Sequence, residues 1–86
     1  SAEGLMAVFS EFGELLDADP AAEQAQTLVA KLQQFITDNY YTCTREILKG
    51  LGQMYVMDER FKENIDKNGE GTAQFASSAI TYYSTH

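Results

Sequence analysis

The sequence predicts an all-α protein, a small bundle of about five helices. Three observations lead there. Apolar residues recur at three- and four-residue steps in five separate segments. No segment alternates apolar and polar residues as a half-buried strand does. Residues that start or stop helices stand between the segments: Asp19-Pro20, Thr42, Asp58 and Asn68-Gly69.

The first helix is expected over residues 3 to 17, where Leu5, Val8, Phe9, Phe12, Leu15 and Leu16 share one face and Glu3, Glu11 and Glu14 the other. Gly13 costs this helix roughly 1 kcal/mol relative to Ala; it is either a site of close contact or a tolerated surface glycine. Asp19 suits a helix cap and Pro20 the first helical position, where no backbone N–H is required. The second helix is therefore expected from Pro20 to Asn39, with an apolar stripe of Ala22, Ala25, Leu28, Val29, Leu32, Phe35 and Ile36.

With Thr42 as its cap, the third helix spans residues 43 to 57 and turns Ile47, Leu48, Leu51, Met54 and Tyr55 inward. Asp58 caps a short fourth helix with Phe61 and Ile65 on one face, and Asn68-Gly69 marks a left-handed stop. The last helix is expected from Glu70 to Tyr83. Its stripe of Phe75, Ala76, Ala79, Ile80 and Tyr83 is flanked by small residues that permit tight packing.

Size and charge narrow the function. The chain has 86 residues, read as a single domain over 1–86, and its start at Ser1-Ala2-Glu3 suggests a piece of a longer protein. Hydrophobic residues make up 44% and charged residues 22%, which argues against disorder. A net charge of −7 argues against gripping phosphate backbones, which takes clustered Lys and Arg. No apolar run approaches the ~18 residues of a membrane span, and no signal peptide is evident. No membrane partner is expected. One cysteine cannot form an internal disulfide, and the expected compartment is the cytoplasm.

Three features carry chemistry. Cys43, if Thr42 is the cap, lies in a helix's first turn, where exposed N–H groups favour thiolate and Arg45 adds to the effect; alternatively it is a small buried hydrophobe. The only histidine is His86 at the end of the chain, so no general base accompanies the thiol. No catalytic role, metal or cofactor is expected, and the carboxylates at Asp17, Asp19, Asp58 and Glu59 are explained as helix-start residues. The second feature is aromatic. Tyr40, Tyr41, Tyr55, Phe61, Tyr82 and Tyr83 exceed what a core this small requires. They either line a groove for a ring-rich ligand or serve as core and boundary residues. The third is Gly50 and Gly52 inside one helix, which implies that another helix or a ligand approaches the backbone.

The run Gly50-Leu51-Gly52-Gln53-Met54-Tyr55-Val56-Met57-Asp58-Glu59-Arg60-Phe61, followed by Asn64-Ile65-Asp66-Lys67 and Gly69-Glu70-Gly71, closely resembles the TipAS antibiotic-recognition domain of MerR-family transcription regulators. Tyr40-Tyr41 and Cys43 resemble the aromatic pair and cysteine that precede it, and Ala79-Ile80 with Tyr82 resemble its closing helix. The resemblance runs from about Phe35 to Tyr83.

It implies a shortened globin-like bundle that receives thiopeptide antibiotics or other hydrophobic drug-like ligands in a cleft between helices. It also implies that a cysteine matching Cys43 adds to a dehydroalanine of the ligand. The full regulators of this family are homodimers that bind DNA through an N-terminal domain not present in this sequence. The expected ligand-binding residues are Cys43, Tyr40, Tyr41, Leu51, Met54, Tyr55 and Tyr82, with Cys43 the candidate for covalent attachment. The chain departs from many members at Leu48, where they carry histidine, and from some at Tyr40. An alternative from another class is a helical protein-interaction or dimerisation module that uses the aromatics as an interface.

Overall fold

The computed structural model describes residues 2 to 86. Its order is α1 (Ala2–Gly13), α2 (Glu23–Asn39), α3 (Arg45–Met57), α4 (Glu59–Asp66) and α5 (Thr72–Thr85), with no strand among the described residues. The all-α, five-helix expectation holds.

α5 is the hub, packing against each of the other four helices. Small residues make this possible. Ala73, Ala76 and Ala79 are fully buried along its length, and Phe75 and Ile80 add bulk between them. The core is completed by Phe9 and Phe12 of α1, Val29 and Leu32 of α2, Leu48 and Tyr55 of α3, and Ile65 of α4. Phe9 meets Tyr55 edge to face with ring centroids 5.1 Å apart, a favoured geometry for aromatic pairs.

The longest interface is α3 on α5, and Gly52 is the reason it closes. A Cβ at Gly52 would stand 3.0 Å from Ile80 Cγ2. Helix crossing therefore accounts for Gly52. No neighbouring helix approaches Gly50, where a Cβ would meet nothing within 4 Å. Gly13 is a close-contact glycine: its Cβ would fall 2.6 Å from the Asn68 carbonyl oxygen.

Tertiary contacts moved three helix boundaries. α1 stops at Gly13, where the Asn68 backbone crosses, and residues 14–17 continue as turns held by Glu14 N–H to Glu11 O and Leu15 N–H to Phe12 O. Asp19 does cap, since its Oδ1 accepts from Ala21 N–H at 2.8 Å, but it closes only a single turn. α2 itself begins at Glu23, after Ala22 adopts an extended ψ of 152°. Gln26 Nε2 fixes this corner by donating to the carbonyls of Pro20 (2.8 Å) and Ala79 (3.0 Å). The third boundary is the start of α3. Its cap is Thr44 rather than Thr42, with Thr44 Oγ1 accepting from Ile47 N–H at 3.1 Å. Ile47, expected inward, is 41% exposed, because the face of α3 that packs runs through Leu48, Gly52 and Tyr55.

The other stops stand close to their expected places. Asp58 Oδ1 accepts from Arg60 N–H and Phe61 N–H, capping α4. Gly69 and Gly71 take φ of 142° and 93°, values open to glycine and rarely to other residues. α5 has no side-chain cap of its own at Gly71. Asp66 supplies one from α4, accepting from Ala73 N–H at 2.9 Å.

Candidate functional site

The aromatic residues gather where α1, the end of α2, α3 and α4 leave space between them. A hollow of about 190 Å³ is lined by Leu5, Ile36, Tyr40, Tyr41, Leu51, Met54, Tyr55 and Phe61. A second, of about 470 Å³, adjoins it between α1 and α4 and shares Leu5, Tyr40 and Phe61. Met6, Phe9 and Ile65 extend its apolar wall, and Asn64, Lys67 and Asn68 bring polar groups to it.

Tyr55 anchors the floor. Its ring is buried against Phe9 and lies 5.9 Å from Phe61. Burial, then the neighbouring Tyr41 and Cys43, push its phenol above the ordinary tyrosine range, so it stays neutral. The rim is open by contrast. Tyr40 is 51% and Tyr41 49% exposed, and Phe61 is also exposed. Tyr40 rests on Phe35 with centroids 6.3 Å apart.

Five of the seven expected residues therefore share one hollow: Tyr40, Tyr41, Leu51, Met54 and Tyr55. Tyr82 is not among its lining residues; it is exposed and stacks on His86 at 4.0 Å. Cys43 is not in the lining either. With Thr44 as the cap, it precedes α3 instead of sitting in its first turn. Its thiol side chain is buried, with the residue 3% exposed. Burial pushes its pKa up, so of the two readings the small buried hydrophobe holds and the activated thiol does not; the thiol makes a long contact of 3.8 Å to the Thr44 carbonyl. Arg45 does not assist the sulfur. Its guanidinium lies 4.4 Å over the Tyr83 ring and donates through Nη1 to the Tyr83 carbonyl at 2.6 Å.

Sequence reasoning missed Leu5, Met6 and Ile36 as groove residues. Nothing in the apolar stripes of α1 and α2 separates core positions from groove walls. Another hollow, about 410 Å³ between α1 and α2, carries the Lys31–Glu11 ion pair and none of the tyrosines. Among the described residues no group of His, Cys, Asp and Glu could hold a metal ion. No described helix is long and apolar enough to cross a membrane.

The chain is thus a five-helix bundle with a groove lined by aromatic and aliphatic side chains. It belongs to the TipAS antibiotic-recognition domain family, whose pattern it matches over residues 2–83. It is 39% identical over 67 residues to the HTH-type transcriptional activator mta of Bacillus subtilis, covering 78% of this chain and 26% of that protein. It is 42% identical over 71 residues to the HTH-type transcriptional activator TipA of Streptomyces coelicolor, covering 80% of this chain and 28% of that protein. The TipA of Streptomyces lividans matches equally. The chain thus spans about a quarter of the length of these relatives. No solved structure matches it.

Proposed function

We propose that this chain is the ligand-sensing effector domain of a MerR-type transcription activator. In this reading it takes a large, ring-rich, mostly apolar ligand of the thiopeptide kind in the groove walled by Leu5, Tyr40, Tyr41, Leu51, Met54 and Phe61. The supporting observation is the gathering of half-exposed aromatic rings around a shared apolar space in a chain of the antibiotic-recognition family. Tyrosine rings at such a rim bury area against a flat ligand while their hydroxyls stay wet. DNA binding and homodimerisation belong to the rest of the regulator in this proposal.

Covalent capture is the finer part of the proposal. The Cys43 thiolate adds to the methylene carbon of a ligand dehydroalanine, and the α-carbon takes up the proton, leaving a thioether. With the thiol buried and its pKa raised, this addition is slow until the segment around Cys43 moves. Titration with a thiopeptide followed by mass spectrometry tests both parts. Binding with a mass increase that Cys43→Ala abolishes is the expected result. Binding without added mass removes the covalent step, and no binding at all removes the thiopeptide reading in favour of an aromatic protein interface.

A further inference from the structure

Residues 40–44 join α2 to α3 and carry both rim tyrosines and the buried thiol. Hydrogen bonds reach the backbone of this segment from two sides, and the Tyr40 ring also packs on Phe35. Gln33 Nε2 donates to the Cys43 carbonyl at 2.9 Å. Gln33 Oε1 accepts from the Tyr83 hydroxyl at 2.6 Å. Arg45 holds Tyr83 in turn, through the ring and the carbonyl. That carbonyl is in the last turn of α5, where helix geometry leaves acceptors unpaired. On the other side Cys43 N–H donates to Thr37 Oγ1 at 3.0 Å, and Tyr40 and Tyr41 N–H both converge on the Ile36 carbonyl. Of the five residues in the segment only Cys43 is buried. A segment with one buried side chain and exposed neighbours opens at lower cost than the helices it joins.

We propose that residues 40–44 are a hinged strap whose closed position is set by a latch of Gln33, Tyr83 and Arg45. The motion that releases the strap displaces Tyr40 and Tyr41 from the groove rim and uncovers Cys43. Gln33 and Tyr83 are positioning residues in this scheme. Neither is among the groove-lining residues, yet together they tie the end of α5 to the groove's edge. The latch stands on these contacts alone and is independent of what the groove binds.

The test is the rate at which an aromatic disulfide reagent labels Cys43 in the 86-residue chain without any ligand, read against urea concentration. In the unmodified chain, labelling at low urea should proceed through local opening and depend only weakly on urea. Tyr83→Phe keeps the ring under Arg45 and removes the hydroxyl. It should speed labelling roughly five- to tenfold, the worth of one hydrogen bond in an opening equilibrium. Gln33→Met should speed it at least as much. Val8→Ala, in the core away from the strap, should leave labelling at low urea unchanged while lowering the urea midpoint. The proposal is overturned if Tyr83→Phe and Gln33→Met label at the original rate. It is equally overturned if labelling in every chain follows the steep urea dependence of global unfolding. Because labelling is read without ligand, this result and the fate of the thiopeptide titration are separable.

Discussion

α3 has two working sides, and they are built in opposite ways. The side toward α5 is a closed seam in which a methyl group at Gly52 would press on Ile80 at 3.0 Å. The side toward α1 and α4 is left partly unfilled, with Leu51 and Met54 half-buried under exposed Tyr40, Tyr41 and Phe61. Interiors are normally close-packed, and in the proposed function the unfilled side of this helix is where the ligand sits. Tyr55 joins core and groove on the open side, with its ring buried edge to face against Phe9 and also lining the hollow.

This contrast can be broken by substitution. Gly52→Val puts new atoms against Ile80 and should destabilise the fold by about 1–3 kcal/mol in urea unfolding, the usual cost of overpacking. An unchanged midpoint would mean the seam has slack.

Asp66→Ala should cost about 1 kcal/mol, since it removes the acceptor that caps α5 from α4. Its pH dependence has a definite sign. Burial alone would raise the Asp66 pKa, but the Ala73 N–H, Lys62 and the Gly71 N–H outweigh it and hold the carboxyl below its ordinary value. A folded pKa below the unfolded one contributes stability that is complete above the unfolded value of about 4 and fades as pH falls through the folded one. The difference between Asp66→Ala and the unaltered chain should therefore be full at neutral pH and shrink in acid. A difference that is constant through the acid range would remove Asp66 as a charged cap.

Gly50→Ala should do the opposite of Gly52→Val. The site is exposed, has space for a methyl group and is helical, so the gain should be about 0.5–1 kcal/mol. The smallest stability change is expected for Tyr40→Ala, within about 0.5 kcal/mol because the ring is half exposed. The same change should weaken thiopeptide binding, measured by titration. A large loss of stability with unchanged binding would reverse the roles assigned to seam and rim.

Most of the architecture was legible in the residues. The 3.6-residue stripes placed five helices, Asp58 capped where expected, and the small residues of α5 foretold its tight packing against another helix. The groove was legible in part: the surplus of aromatics pointed to Tyr40, Tyr41, Tyr55 and Phe61, and the family resemblance added Leu51 and Met54. Leu5 and Met6 of α1 and Ile36 of α2 complete it, and an apolar residue reads the same whether it faces a core or a cavity.

What the sequence determined by itself was local: helical periodicity, capping chemistry and the acidic charge. Only the tertiary structure decided which of two threonines caps α3, since both precede an apolar run and both can accept a backbone hydrogen bond. Gln33 and Thr37 take up the Cys43 carbonyl and N–H outside the helix. The helix then starts after the cysteine, and its thiol is buried and protonated rather than activated. The roles of Gly50 and Gly52 were decided the same way. The two glycines have the same intrinsic helix propensity, and only the position of Ile80 on a neighbouring helix makes one indispensable and leaves the other open.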